Sequence, residues 1–377
     1  LTMGNLSYHE QHEVWQNLKK ADPKVLESLL QEIVIGIQEP DQESAAAMQQ
    51  RLDAKIKPLN SLGVLEDIVR QLAGIYRTSH PHIKKKAVLL MAGDHGVVAE
   101  GVSAAPQEIT AQMFYSFLAG KAGINILAKH AGAEVICTDV GMVPPLNPPD
   151  LMANRIKNGT DNIMQGPAMT RHEALLAILT GAKIAREAIS SGFNLLATGE
   201  VGIGNTTPSS ALIAVFTGNK VEDVTGSGTG LKDKALRHKQ EVIEKAIEIN
   251  QPNPDSPLDT LAKIGGLEIA ALTGVILEAA YQHVPIILDG IISTAAALAA
   301  AKFAPLTTAY MISSHNSEER GHFFALKHLG LHPRLDIHMR LGEGTGAALM
   351  FPIIEAALKI ADEMATFETA GVTSGDF

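Results

Sequence analysis

The sequence has few of the residues that mark several large classes of protein. It contains one cysteine, Cys137, among 377 residues, which excludes an intrachain disulfide and a cysteine-cluster metal site. Aromatic residues make up only 4% of the chain and charged residues 19%, which favours tight packing of helices on a sheet over an aromatic-rich binding surface. The formal net charge of −10 argues against nucleic acid as the main partner, because binding it requires a concentrated basic face.

Long apolar runs are also missing. The alanine-rich stretch 295–301 is far too short to span a bilayer, which takes about 20 apolar residues. Residues 1–16 are polar and lack the apolar core of a signal peptide. Because 46% of the residues are nonetheless hydrophobic, enough for a sizeable core, we expect a soluble, globular, cytoplasmic protein that binds no membrane.

The apolar residues that are present predict an α/β fold. Residues 6–80 have helical periodicity, and a helical pattern resumes over 345–364, where Pro352 should cause a kink or occupy an early turn. Between them, short apolar runs alternate with helical stretches. Five runs are predicted as strands: 87–92, 134–138, 194–197, 284–288 and 308–312. Continuous apolar strands separated by helices are typical of a parallel sheet covered on both faces, and ligands bind beyond the carboxyl ends of its strands.

Three glycine-rich turns predict an anion site at that edge. Residues 198–207, TGEVGIGNTT, stand between a predicted strand and a predicted helix. Glycines let the backbone approach a ligand there, and the helix N-terminus adds positive potential. GSGTG at 226–230 and GEGTG at 342–346 are further turns of this kind. Together they predict a phosphorylated small molecule held beside an acid/base group.

Two interpretations stay open for the polar residues of these turns. Glu343 is a catalytic carboxylate, or it is an acidic residue that stabilises a helix N-terminus. The loop 202–207 is a phosphate cradle, or a turn that needs glycine only for packing. A phosphate would also be neutralised by one of the cations Lys232, Lys234, Arg237 and Lys239, which follow the second turn.

Histidines offer two further alternatives. His315 and His322 with Asp289 are metal ligands or polar pocket lining, and lining is favoured because their spacing fits no zinc signature. Asp94 and His95 are an acid/base pair or turn residues engaged in hydrogen bonds. The second is favoured, because neighbours on an extended strand point in opposite directions.

The chain strongly resembles the nicotinate-nucleotide–dimethylbenzimidazole phosphoribosyltransferase (CobT) family of cobalamin biosynthesis. The resemblance covers about residues 20–370. Its ordered blocks are AGDHGVV at 92–98, GVS at 101–103, PQEIT at 106–110, GIGNTTP at 202–208, GTGL at 228–231, ILDG at 287–290, STAAA at 293–297, SH at 314–315, GH at 321–322 and RLGEGTG at 340–346.

The resemblance implies a fold, a reaction and a set of partners. The fold is a Rossmann-like parallel sheet flanked by helices (residues 86–346), with a small helical domain formed by both termini (1–85 with 347–377). The reaction moves phosphoribose from nicotinate mononucleotide to a lower-ligand base, giving an α-ribotide and nicotinate. Neither a cofactor nor a metal is expected, and the protein is expected as a homodimer or as a heterodimer with a homologous subunit.

Site residues also follow from the resemblance. Glu343 matches the position of the general base in that family. The nucleotide-binding positions are Glu200, Gly202, Ile203, Gly204, Asn205, Thr206, Thr207, Gly226, Ser227, Gly228, Lys239, Asp289, Ser314 and His315. The acceptor-base pocket is assigned to Ser103, Gln112, Leu341 and Gly342.

Three positions depart from the usual family pattern. Ser227 stands where many members have arginine, Glu319-Arg320 replaces Glu-Pro, and His338 replaces a small residue. One branch of the family uses phenolic acceptors such as phenol or p-cresol and works as a pair of unlike subunits. Two functions therefore stay open: an active transferase for dimethylbenzimidazole or a phenolic, or a non-catalytic partner subunit of such an enzyme.

Overall fold

The computed structural model describes residues 13–143, 153–228 and 230–373. Its centre is a five-stranded parallel sheet in the order β2-β1-β3-β4-β5. The strands are β1 Lys86–Gly93, β2 Glu134–Gly141, β3 Leu195–Val201, β4 Ile286–Leu288 and β5 Met311–Ser313. All five lie on the predicted apolar runs, so the predicted fold class is confirmed. The last strand begins later than predicted because Pro305–Tyr310 forms a 3₁₀ helix.

Strand β1 shows why the apolar runs are continuous. All of its residues are buried. Leu89 and Met91 face one hydrophobic core, whereas Val88 and Leu90 face a second core on the other side of the sheet. A strand buried on both faces has no polar alternation.

Helices cover both faces of the sheet. In chain order they are α1 Pro23–Gly36, α2 Gln42–Asp53, α3 Val64–Tyr76, α4 Ile109–Leu118, α5 Gly123–His130, α6 Arg171–Ser190, α7 Thr206–Thr217, α8 Val221–Val224, α9 Asp233–Asn250, α10 Pro257–Ile264, α11 Leu267–Tyr281, α12 Ile291–Phe303, α13 Arg320–Leu329, α14 Thr345–Glu363 and α15 Phe367–Ala370. Helices α1, α6, α11 and α12 contribute to the first core. Helices α2, α3, α4 and α14 contribute to the second.

The N-terminal helices begin at clear capping signals. The Asp22 carboxylate accepts the Lys24 N–H at 2.8 Å, with Pro23 at the first helical position of α1. The Asp41 carboxylate accepts the Ser44 N–H at 2.8 Å at the start of α2. Aspartate caps and an initial proline are the expected start of a helix. The helical prediction for 6–80 is thus confirmed for α1, α2 and α3, while residues 6–12 lie outside the described part.

Helices from the N-terminal and C-terminal parts of the described chain pack on both sides of the sheet. Helix α14 packs on α3 and α5, whereas α1 packs on α6 and α11 across the sheet. Pro352 lies inside α14 and not in its first turn. The division into a small helical domain (1–85 with 347–377) and a large domain (86–346) stays a prediction. Among the described helices, none combines the length and apolar character needed to cross a membrane.

Candidate active site

A cavity of about 430 Å³ lies at the carboxyl edge of the sheet. Its lining includes these residues predicted from the sequence: Ser103, Glu200, Gly202, Ile203, Gly204, Asn205, Thr206, Gly228, His315, Leu341, Gly342 and Glu343. Parallel strands bring these segments together, because the turns that follow β3 and β5 leave the sheet at the same edge.

The loop after β3 requires glycine at two positions. A Cβ on Gly202 would lie 2.1 Å from the carbonyl oxygen of Gly93, so the loop can pass the end of β1 only with glycine there. Gly204 has a φ of +87°, in the left-handed region. The Ile203 N–H is donated to Thr110 Oγ1 at 3.0 Å. The N–H groups of Gly204 and Thr206 have no acceptor among the described residues and stay available for an anion at the start of α7.

Residues 342–344 all have left-handed backbone conformations. Gly342, Glu343 and Gly344 have φ angles of +82°, +64° and +91°. A Cβ on Gly342 would lie 2.5 Å from Glu200 Oε1, and one on Gly344 would lie 2.7 Å from Val88 Cγ1. Glu343 is therefore the one residue of this turn with a side chain, and it holds a conformation that costs a non-glycine residue roughly 1–3 kcal/mol.

The Glu343 carboxylate lies at the cavity wall and is only 7% exposed. Its Oε2 accepts the Ile124 N–H at 3.2 Å, while its Oε1 accepts no hydrogen bond from the described residues. Burial raises the pKa of Glu343 above its ordinary value, although the bond from Ile124 opposes that shift. A carboxylate with one free oxygen and a raised pKa is suited to accept a proton from a ligand in the cavity.

Two buried carboxyl groups hold the turn that carries Glu343. Glu200 Oε1 accepts the Glu343 N–H at 3.3 Å, and Glu200 Oε2 accepts from the Asn205 amide. Asp289 accepts the N–H groups of Gly344 at 3.1 Å and Ala347 at 3.0 Å. Burial, reinforced by the charge of Asp289, raises the pKa of Glu200 to about 8. At neutral pH Glu200 is mostly protonated, which leaves Glu343 as the candidate base.

This assignment predicts a mild effect for Glu200→Gln. Glutamine has the shape of the protonated acid and can still accept the Glu343 N–H, and the Asn205 amide can turn to complement it. At pH 6.5, the activity of the variant should therefore stay within roughly tenfold of that of the parent protein. A tenfold change corresponds to the free energy of about one hydrogen bond. Glu200→Ala, which removes that acceptor, should lose more. A loss for Glu200→Gln as large as that for Glu343→Gln would show that Glu200 acts as the ionised base.

A buried lysine lies behind the part of the cavity wall that Thr206 forms. Lys239 is fully buried, and its ammonium donates to Thr206 Oγ1 at 2.6 Å. Burial lowers the pKa of Lys239 to about 8, against the opposing effect of the nearby Glu319 carboxylate. Of the four predicted cations that follow the second turn, Lys239 is the one that reaches the cavity wall, through Thr206.

Some predicted residues do not line the cavity. They are Gln112, Thr207, Gly226, Ser227, Lys239, Asp289 and Ser314. Gln112 is exposed on α4, whereas Ile109 and Met113, four residues apart on the same helix face, line the cavity. The helical spacing of these two apolar residues is the sequence signal for that wall. The Ser314 hydroxyl lies 3.0 Å from His315 Nδ1, so Ser314 supports the wall from behind.

The remaining polar candidates are held in internal hydrogen bonds. His95 Nε2 lies 2.8 Å from Glu268 Oε1, and an oxygen of Asp94 accepts the Val143 N–H at 2.6 Å. Their preferred interpretation as hydrogen-bonding residues is confirmed. Buried His322 contacts the carbonyl oxygen of His315 at 3.0 Å, and burial lowers the pKa of His322 to about 4. No group of three or more His, Cys, Asp or Glu in the described ranges could hold a metal ion, so the metal alternative gains no support.

Comparisons with known proteins agree with the fold. A phosphoribosyltransferase family model, DBI_PRT, matches residues 37–372. A nicotinate-nucleotide–dimethylbenzimidazole phosphoribosyltransferase from Desulforamulus reducens is 52% identical over 350 residues, which cover 92% of this chain and 100% of that protein. A protein of the same name from Chloroflexus aurantiacus is 51% identical over 346 residues, covering 92% and 99%. The crystal structure of CobT from Thermus thermophilus superposes with a TM-score of 0.85 at 44% identity, covering 88% of this chain and 100% of that one.

Fold, site and matches together define a phosphoribosyltransferase. The chain belongs to the nicotinate-nucleotide–dimethylbenzimidazole phosphoribosyltransferase (CobT) family.

Proposed function

We propose that this protein transfers the phosphoribosyl group of nicotinate mononucleotide to an aromatic base, releasing nicotinate and forming the α-ribotide used in the nucleotide loop of cobamides. The observation that carries the proposal is the Glu343 carboxylate, with one free oxygen in a cavity that also holds a phosphate-type loop. The names of the relatives support this choice of substrates.

The proposed chemistry needs a base at one end of the cavity. A ring nitrogen of the acceptor attacks C1′ of the ribose from the face opposite nicotinate, so the configuration changes from β to α. The N–H of the acceptor becomes more acidic as its ring forms the bond to carbon. Glu343 takes that proton through its free oxygen, and its raised pKa favours the transfer.

The other end of the cavity is assigned to the nucleotide phosphate. The free N–H groups of Gly204 and Thr206 lie at the N-terminus of α7. The Lys239 ammonium, which donates a hydrogen bond to Thr206 Oγ1, adds positive charge next to them. If the phosphate and the acceptor were held at opposite ends, C1′ and the attacking nitrogen would lie close together and aligned for reaction. Such positioning can account for a large part of the rate enhancement.

The acceptor is assigned to the side of the cavity that contains Glu343. Val102, Ile109, Met113 and Leu341 contribute apolar surface to the cavity lining, which also includes Ser103. An apolar wall beside a carboxylate suits a flat aromatic ring with one N–H. We propose dimethylbenzimidazole as the acceptor, in line with the relatives' names, and keep a phenolic acceptor as the alternative.

A non-catalytic partner subunit remains the second candidate. The residues that depart from the family pattern, Ser227, Arg320 and His338, all lie outside the cavity lining. His338 is exposed and pairs with Glu318 at 2.7 Å. The retained Glu343, whose carboxylate lines the cavity, favours the active enzyme. Homodimer or heterodimer assembly and a cytoplasmic location stay predictions.

One assay separates the two candidates. Purified protein is incubated with nicotinate mononucleotide and each of a set of benzimidazoles and phenols, and released nicotinate is measured by chromatography. We expect release that depends on an added acceptor, with Glu343→Gln as the matched inactive control. No release with any acceptor would favour the partner-subunit function.

A further inference from the structure

A protein carboxylate occupies the turn that the sequence predicts as an anion cradle. Glu319 is only 5% exposed, and its Oε1 accepts the Gly228 N–H at 2.8 Å. A Cβ on Gly226 would lie 1.9 Å from Glu319 Oε2, so glycine at 226 is what lets the carboxylate enter the turn. The turn therefore binds an anion, and here that anion belongs to the chain itself.

This carboxylate stands at the end of the cavity assigned to the phosphate. Glu319, Gly228 and Thr206 all line the cavity, and a Cβ on Gly228 would lie 3.0 Å from Lys239 Nζ. Glu319 Oε2 has no hydrogen-bond partner among the described residues. The carboxylate is also near enough to raise the pKa of Lys239. A buried ammonium needs such an anion, because an uncompensated charge away from water is costly.

We propose that Glu319 is an internal counter-anion that gives way to the phosphate monoester of the nucleotide. This proposal rests on the proposed function, since it concerns the same site. Before the nucleotide binds, Glu319 accepts a hydrogen bond from the Gly228 N–H, and its negative charge compensates the positive charge of Lys239. When the nucleotide binds, phosphate oxygens take over both roles. Glu319 then lowers the affinity for phosphate alone and helps to release the phosphorylated product.

The competing explanation is a structural one. Glu319 precedes α13, and its bond to Gly228 ties the start of that helix to the turn. If this were its only role, removing the carboxylate would loosen the turn and weaken phosphate binding. The two explanations therefore predict opposite changes in affinity.

The test is titration calorimetry of Glu319→Gln with inorganic phosphate and with nicotinate mononucleotide. At pH 6.5, below the pKa of about 8 of Lys239, both ligands should bind roughly tenfold or more tightly than to the parent protein, because a close like charge is removed. Nicotinate riboside, which lacks the phosphate, should bind unchanged. The matched control is Glu318→Gln, which removes the same charge from the neighbouring, 46% exposed side chain and should change phosphate affinity by less than about twofold.

Two further measurements keep the outcome clear. Glu319→Ala frees the Gly228 N–H and should also bind phosphate more tightly. A crystal structure of the unaltered protein with nicotinate mononucleotide should show a phosphate oxygen on Gly228 N. Unchanged or weaker phosphate binding in both variants, or Glu319 still on Gly228 N with the nucleotide bound, would overturn the proposal. Absence of nicotinate release by the parent would instead count against the proposed function, since the inorganic phosphate titration tests Glu319 independently.

Discussion

Replacing Glu343 with glutamine should lower the rate of nicotinate release by roughly 100-fold or more, the usual contribution of a positioned general base. Glutamine keeps the length of the side chain and can still accept the Ile124 N–H, but it cannot take a proton from the acceptor. Binding of nicotinate mononucleotide should change little, because other residues, Gly204 and Thr206, make the proposed contacts to its phosphate. Steady-state rates and calorimetric titration measure the two effects separately.

The pH dependence gives a second check on Glu343. The ionised carboxylate is the active form, so the parent rate should fall as pH is lowered through the pKa of Glu343, which burial raises above its ordinary value. Glu343→Gln should lose that limb of the profile. If the variant keeps nearly full activity across the pH range, the carboxylate is a helix-end residue and the catalytic assignment is wrong.

Gly204→Val should weaken binding of nicotinate mononucleotide by roughly tenfold to 100-fold, the range for losing one hydrogen bond to a charged group. The new Cβ would lie 2.6 Å from Val98 Cγ2, and valine is disfavoured at the φ of +87° found there. The loop must move, and the N–H groups of Gly204 and Thr206 would then no longer point at the phosphate. The acceptor base should still bind, since its pocket is built from other segments.

A glycine elsewhere in the chain provides the matched control. Gly192 has a φ of +94° but nothing lies within 4 Å of its added Cβ, so Gly192→Val tests backbone strain without touching the cavity. It should leave nucleotide affinity intact.

Ser103→Ala should instead change which acceptor is preferred. Loss of nucleotide binding in Ser103→Ala as severe as in Gly204→Val would contradict the assignment of two separate ends.

The sheet could be predicted from the sequence because its physical signal is local. Strand β1 is buried on both faces, and so its whole run from Ala87 to Ala92 is apolar. The turns that follow the strands are glycine-rich or polar, and the parallel arrangement gathers them at one edge. The start of β5 differs from the prediction because residues 308–310 of the predicted run belong to the 3₁₀ helix Pro305–Tyr310.

The parts of the site that the sequence does not reveal depend on contacts between distant segments. Glu319 meets Gly228 only after the chain has folded, and no spacing rule connects two residues 91 positions apart. The same is true of Glu343 and Ile124, which are 219 positions apart. Family resemblance places Gln112 in the pocket, but the rotation of α4 presents Met113 instead.

The left-handed backbone at Glu343 sets stability and function against each other. Position 343 stands between two glycines in a conformation that glycine itself adopts without penalty. A residue chosen for thermal stability alone would be glycine, and it would remove the proposed base. Consensus or stability-guided redesign of this enzyme should therefore leave residues 342–344 untouched, because here the less stable residue is the useful one.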